Sequence, residues 1–372
     1  MRYAHITGWG MAVPERVLTN DELAEMVNTS DEWIFSRTGI RERRIAAAEQ
    51  STATLAADSA LHALEVADLN PADVDLIIVA SSSPEHLFPS TASLVQDSIG
   101  AVKAGAFDLS AACTGFILAL NMAAQAIRTG SIENAIVVGA ETLSRLTDWE
   151  DRNTCILFGD GAGAFVLQAS DEPGGVLSAV MRSDGSGGDL LSLPAGGSKL
   201  PASADTVANG QHFIHMKGRE VFRFATRVMA QATREVVSLA GLELDDIDLI
   251  VPHQANQRII EAAARGLKLP LERFAVNLDR YGNTSTASIP LAAVEAIREG
   301  RLNPGDRVVL VGFGGGLTWG ALAAQWTGPL STERRQAWPY RFDRLYVLYV
   351  SLRSAALRLA RYIEGLIWGR QE

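Results

Sequence analysis

Short apolar runs alternate along this chain with longer stretches whose apolar residues recur at helical spacing. The runs IIVA (77–80), AIVVGA (135–140), AFVLQ (164–168), LIV (249–251) and VVLVG (308–312) are uncharged and rich in β-branched residues, as expected of strands covered on both faces. Between them, STATLAADSALHALEVA (51–67) and GFILALNMAAQAIRTG (115–130) repeat apolar positions every three or four residues and predict helices. Strands alternating with helices imply mostly parallel sheets packed between helical layers, an α/β class of fold.

The pattern also repeats. ADLNPADVDLIIVASSS (67–83) matches GLELDDIDLIVPHQAN (241–256), and AIRTGSIENAIVVGAETLS (126–144) matches AIREGRLNPGDRVVLVGFGGG (296–316), in the same order. Duplication of one α/β unit accounts for both matches. It divides the chain into a first half, 1–172, a second half, 173–328, and an extension, 329–372, that begins in the polar stretch TGPLSTERR.

Charge adds to this division. Lys and Arg number 33 against 43 Asp and Glu, a net −10, which argues against general nucleic-acid binding. The extension holds eight Arg and four acids and is basic; the rest is correspondingly more acidic. Two cysteines, Cys113 and Cys155, exclude a disulfide framework and favour a reducing, cytoplasmic setting. The start MRYAHITGWGMAVPE is no secretory signal, and no run of apolar residues predicts a spanning helix.

The duplication serves as a coordinate system for chemistry. Cys113 lies thirteen residues before Ala126, and Asn283 thirteen before Ala296, so both occupy equivalent turns leading into helices. His253 directly follows the run LIVP. Strand ends and helix starts are where open α/β folds bind ligands. A thiol at a helix start gains from the macrodipole, which favours its thiolate. The ordinary alternatives are a small buried hydrophobe for Cys113, a satisfied polar residue for His253 and a plain Gly-Asn turn for Asn283. Cys155, at the start of an apolar strand, takes the ordinary reading, as do His5, His62, His86, His212 and His215. FGDGAGA (158–164) and FGGGLTWG (313–320) lack the register of a dinucleotide fingerprint; FGGG suits close backbone approach and an N–H offered to an oxyanion.

With these residues in place, TSDEWIFSRTGIRERRIA (29–46), SAACTGF (110–116), FGDGAGA, IVPHQANQRII (250–260), GNTSTASIP (282–290) and FGGGLTWG closely resemble the β-ketoacyl-acyl-carrier-protein synthase III family, over residues 1 to about 326. The resemblance implies a thiolase-like fold: two duplicated halves in a five-layered α/β/α/β/α arrangement, as a homodimer. It implies a decarboxylating condensation of a short acyl-CoA, acetyl-CoA first, with malonyl-acyl-carrier protein, which opens type II fatty acid synthesis. Cys113, His253 and Asn283 would form the catalytic triad, with the N–H groups of Cys113 and Gly315 as oxyanion hole and Phe313 flanking the malonyl group. Trp33, Arg37 and Arg152 would hold the CoA nucleotide. Arg223 and Arg258 would receive the carrier protein or pantetheine; the family commonly has Lys where Arg223 stands. Phe88 would cross the dimer interface and limit the acyl pocket, favouring a short starter. No metal or redox cofactor is implied, acyl-CoA being a substrate.

Two rival readings keep other outcomes in view: a related acyl-CoA-dependent ketosynthase or acyltransferase of specialised metabolism, and a non-catalytic scaffold using the extension. In FDRLYVLYVSLRSAALRLARYIEGLIWG (342–369), Leu345, Leu348, Leu352, Ala355, Leu359, Ile363 and Leu366 recur at helical spacing, with Arg344, Ser351, Arg358 and Arg361 opposite. A basic amphipathic helix fits docking on the acidic body, an oligomer contact, or peripheral contact with an anionic membrane.

Overall fold

The apolar runs form two sheets. A computed structural model describes residues 2–330 and 344–368. The first sheet contains β1 (Tyr3–Ala12), β2 (Leu76–Ala80), β3 (Gly105–Leu109), β4 (Asn134–Thr142) and β5 (Asp160–Ser170), in the order β1-β5-β4-β2-β3. The second contains β6 (Gly175–Ser183), β7 (Leu249–Pro252), β8 (Arg307–Gly314) and β9 (Thr318–Gln325), in the order β7-β8-β9-β6. Matching β1, β2, β4 and β5 to β6, β7, β8 and β9 gives the same neighbour order twice, so the sequence repeat is a repeat of topology.

The sheets are mixed rather than mostly parallel. β2 pairs in parallel with β3 and β4, and β7 with β8. β5 runs antiparallel to β4 and β1, and β9 antiparallel to β8 and β6. Only residues 315–317 separate β8 from β9. A connection that short closes a hairpin, whereas a parallel return needs a crossover of about a dozen residues or more.

The main helices are α1 (Asp31–Thr38), α2 (Thr52–Ala67), α3 (Thr91–Ser98), α4 (Gly115–Arg128), α5 (Gly218–Leu239), α6 (Gln257–Leu267), α7 (Ser288–Arg298) and α8 (Arg344–Trp368). Burial assigns them to layers. Phe116, Ile117 and Leu120 of α4 and Ile289 and Ala292 of α7 share one core with the inner faces of both sheets, Ile78 and Val137 on one side and Val251 and Leu310 on the other. The outer face of the first sheet, including Ile77 and Val138, is covered by Leu55 and Leu64 of α2 and Val95 of α3. That of the second, including Ile250 and Val309, is covered by Phe224 of α5 and Ile260 of α6. These are the five layers of a thiolase-like fold. The middle helices are apolar nearly all round because they meet a sheet on both sides, whereas α6 keeps a polar face toward solvent.

Close approach fixes where glycine is needed. A Cβ on Gly139 of β4 would lie 2.2 Å from the Thr286 carbonyl oxygen, just before α7. The glycines of FGDGAGA do similar work: a Cβ on Gly163 would meet the ring of Pro290 at 2.7 Å. This run is therefore a packing surface for α7. Cys155 lies in a turn rather than at a strand start, and is fully buried.

Gly139→Ala is expected to destabilise the chain by about 2 kcal/mol, because the added methyl overpacks the contact between β4 and the start of α7. Gly197→Ala, where the methyl meets open space, is expected to cost less than about 0.5 kcal/mol. Urea unfolding midpoints distinguish the two; equal midpoints would contradict this packing.

Candidate active site

The residues singled out by sequence converge where α4 and α7 begin. Most helix starts here carry a side-chain cap: Ser30 for α1, Ser51 for α2, Ser90 for α3, Asn256 for α6. α4 and α7 have none. Each is preceded instead by a tight turn, Ala112–Thr114 or Ser285–Ala287, whose first residue has positive φ (46° at Ala112, 45° at Ser285). Counted back from the helix ends, Cys113 and Asn283 are equivalent, but α7 has 11 residues and α4 has 14. The turn position matching Cys113 is therefore Thr286, and Asn283 sits in the extended segment before the turn.

Cys113 is nearly fully buried and lies against the end of β8, where a Cβ on Gly314 would come within 2.7 Å of the Cys113 nitrogen. Burial pushes its thiol up to about 12; the Glu141 charge acts in the same direction, and the Ser285 hydroxyl opposes it. The advantage expected from the helix start thus meets a larger desolvation cost, and the resting sulfur is a thiol. Asn283 is locked in place. Its N–H donates to the Leu157 carbonyl at 2.8 Å, and its Oδ1 accepts from the Ser285 N–H at 2.8 Å. With the oxygen so used, the amide NH₂ is the group left to act as donor.

His253 follows β7, its N–H donating to the Val311 carbonyl at 2.8 Å. The ring stands edge-on to Phe313, centroids 5.3 Å apart. Its Nδ1 lies 2.6 Å from the Ser288 hydroxyl on α7, and that oxygen accepts from the Gln254 N–H at 3.4 Å. A Ser288 hydroxyl that donates its proton to Nδ1 leaves the imidazole proton on Nε2. Burial pulls the imidazole down to about 3, so the ring is neutral.

Two cavities flank this cluster. One, of about 570 Å³, is lined by Cys113, Ser285 and Gly315 together with Leu143, Phe158 and Leu191. The other, of about 690 Å³, is lined by Trp33, Arg37, Arg223, Arg258 and Phe222. Leu157 lines the second and its neighbour Phe158 the first, and Phe158 bridges to Asn283. Arg37 and Arg152 both stack on Trp33, at 4.5 and 4.6 Å from the ring centre, and Arg258 lies over Phe222 at 5.5 Å. Phe88 joins neither cavity: it is 87% exposed, beside the 83% exposed Leu87.

Several supporting residues were not singled out from sequence. Arg43, fully buried, donates from Nη1 to Asn20 Oδ1 and from Nη2 to the Ile156 carbonyl, bracing the wall that carries Leu157. Glu141, also fully buried, accepts from the Ser82 and Ser83 N–H groups and from the Thr286 hydroxyl, tying the cavity loop of one half to the α7 turn of the other. The polar run TSTAS after Asn283 was the one available signal for Ser285 and Ser288.

Comparison with known proteins identifies the family. Residues 107–185 match the family described as 3-oxoacyl-[acyl-carrier-protein (ACP)] synthase III, and residues 237–326 match its C-terminal part. The chain is 56% identical over 326 residues to a β-ketoacyl-[acyl-carrier-protein] synthase III of Symbiobacterium thermophilum, covering 88% of this chain and 99% of that one. It is 53% identical over 325 residues to the like-named protein of a Roseiflexus species, covering 87% and 99%. The crystal structure of 3-oxoacyl-[acyl-carrier-protein] synthase III from Aquifex aeolicus superposes with a TM-score of 0.80 at 46% identity, covering 87% of this chain and all of the other.

The buried neutral imidazole predicts a pH dependence. Its folded value, about 3, lies below its ordinary 6.5. In that window the unfolded chain binds a proton that the native state does not, so stability falls as pH drops below about 6.5, by at most about 1.4 kcal/mol per pH unit. Urea unfolding at pH values from neutral to mildly acidic is expected to show this loss and to show less of it in His253→Gln; parallel curves would contradict it.

Proposed function

The chain belongs to the 3-oxoacyl-[acyl-carrier-protein] synthase III family, and we propose that the cluster at the starts of α4 and α7 performs that family's condensation. The enzyme is an acyltransferase. It joins an acyl-CoA to malonyl-acyl-carrier protein, releasing CO₂ and CoA and forming 3-oxoacyl-acyl-carrier protein, the first condensation of fatty acid synthesis.

In the proposed mechanism the Cys113 sulfur attacks the acyl-CoA carbonyl, and its proton leaves with the CoA sulfur as the acyl group is transferred. The N–H groups of Cys113, in the turn before α4, and of Gly315 hold the tetrahedral oxyanion. Malonyl-carrier protein then places its thioester carbonyl against His253 Nε2–H and the Asn283 amide, beside Phe313. The bond to the carboxylate breaks and its electron pair forms an enolate, which those two donors stabilise. The enolate carbon attacks the acyl-Cys113 carbonyl, and the sulfur departs and regains a proton. A neutral imidazole suits this step, because a donor is required throughout and a base is not. Trp33, between Arg37 and Arg152, receives the CoA nucleotide, and Arg223 and Arg258 receive the phosphopantetheine arm or the carrier protein.

One observation supports the reading: Cys113 and Ser285 line one cavity, the Ser285 N–H donates to Asn283 Oδ1, and His253 Nδ1 stands 2.6 Å from Ser288 at the start of the same helix. The short starter, acetyl first, belongs to the reading through Phe88. β3 is the open edge of its sheet, with Phe107 37% exposed, and Leu87 and Phe88 project from the same half. A second copy joined there would let Phe88 of the partner subunit close the acyl cavity. The reading places the enzyme in the cytoplasm, with peripheral bilayer contact through α8.

Cys113→Ser is expected to abolish acylation by acetyl-CoA, seen as loss of the mass gain on intact protein. Asn283→Ala is expected to be acylated normally yet condense at least about a hundredfold more slowly; a normal condensation rate would remove Asn283 from its role. Phe88→Ala is expected to admit longer acyl-CoAs, measured as acylation by hexanoyl-CoA relative to acetyl-CoA, and an unchanged ratio would place the chain-length limit elsewhere.

A further inference from the structure

Helix α8 is held by one face and open on the other. Tyr346 donates its hydroxyl proton to the Ile99 carbonyl at 2.8 Å; Val350 and Ser354 are buried, and Ser354 donates to Asp97 of α3. Those residues lie one helical turn apart on a single stripe. On the opposite side Leu348, Leu352, Leu359, Ile363 and Leu366 are between 46% and 61% exposed. From Ala355 to Glu364 every residue is exposed, so the helix runs past its docking site. The leucine face is therefore free even though the helix is docked. No helix among the described residues is long and apolar enough to span a membrane.

Charge and width decide what this face fits. Leu348, Leu352, Ala355, Leu359, Tyr362 and Leu366 follow a three-four spacing that would also suit pairing with a second copy of the helix. Self-pairing would need acids flanking the seam to meet Arg358, but the flanking positions hold Tyr349, Ala356 and Ile363 on one side and Ser351 and Arg358 on the other. They widen the apolar face beyond a seam and leave it basic. Residues 344–368 contain four Arg and one acid, and Arg358 and Arg361 are exposed without an ion pair to any described carboxylate. Tyr349 and Tyr362, 62% and 65% exposed, stand at the two edges of the face, the level at which aromatic rings meet lipid headgroups.

We infer that α8 seats the enzyme on an anionic bilayer, with its leucine face in the acyl boundary, Arg358 at the edge of that face on a lipid phosphate and the catalytic body held above through Tyr346, Val350 and Ser354. This takes the bilayer contact of the proposed function to a specific face and lipid charge, and is independent of the chemistry at Cys113.

The test is co-sedimentation of the full chain with vesicles of phosphatidylglycerol and phosphatidylcholine, and of phosphatidylcholine alone. Binding is expected to the anionic vesicles only, to weaken with salt, and to be lost in Leu352→Glu/Leu359→Glu. Arg358→Gln is expected to weaken it on the order of fivefold, and Arg361→Gln, on the docked side of the helix, by less. All variants should still be acylated by acetyl-CoA, which separates loss of fold or of condensing chemistry from loss of lipid binding. Absence of binding to anionic vesicles, or unchanged binding by Leu352→Glu/Leu359→Glu, would overturn the inference. So would a lower assembly mass for that variant in sedimentation velocity without vesicles, which would assign the face to a second copy.

Discussion

The starts of α4 and α7 meet in the layer between two sheets, and that meeting sets the distances at which the site operates. Both helices are apolar on nearly every side because each is pressed between strands. Polar caps of the kind found on α1, α2, α3 and α6 are absent, and the tight turns at Ala112 and Ser285 take their place. Small residues make the approach possible: Gly139 faces the Thr286 carbonyl, and Gly314 faces the Cys113 nitrogen. A larger side chain at either position would drive apart the turns that hold the sulfur and the amide.

Dryness has an electrostatic consequence. Burial raises the Cys113 thiol to about 12 and lowers the His253 imidazole to about 3, so the free enzyme holds two neutral groups rather than a thiolate-imidazolium pair. A buried neutral thiol is a weak nucleophile at rest. At a distance, Trp33 is clasped by Arg37 and Arg152. Under the proposed function, binding energy at that remote nucleotide site would be spent on orienting the carbonyl at Cys113. The same neutrality suits His253 to its proposed role as a fixed donor, with Ser288 on α7 2.6 Å from its Nδ1 to hold the ring.

Much of this was legible in the linear pattern because duplication shows in it. The matching D-[VI]-D-L-I and A-I-R-x-G segments located β2 and β7, β4 and β8, and the helices between them. Strand direction was less legible, since an apolar run reads alike whichever way its neighbour points, and only the three-residue link between β8 and β9 carried that information. The exact parity of Cys113 and Asn283 failed because α7, with 11 residues, starts later than α4, with 14, a difference that counting from the helix end does not detect. Glu141 and Arg43 were silent for a different reason. A buried charge is indistinguishable from a surface one until its partners, here the Ser82 and Ser83 N–H groups and the Ile156 carbonyl, come from distant segments.

The C-terminal helix shows the same limit from the other direction. Its leucines form the conspicuous stripe, and burial of the stripe against the body would be the simplest use of it. The body instead takes Tyr346, Val350 and Ser354, a face of mixed character whose fit depends on Gly100, where a Cβ would come within 2.9 Å of the Tyr346 hydroxyl. Hydrophobic periodicity measures how much apolar area a helix has to cover; it does not rank the surfaces that compete to cover it. A helix fixed to its own domain by a weakly apolar face, with the strongly apolar one left outward, keeps its largest burial free energy for something outside the chain. The excess of arginine over acid in the helix, with Arg358 at the edge of that outward face, then favours a partner with negative charge over another copy of the same basic helix.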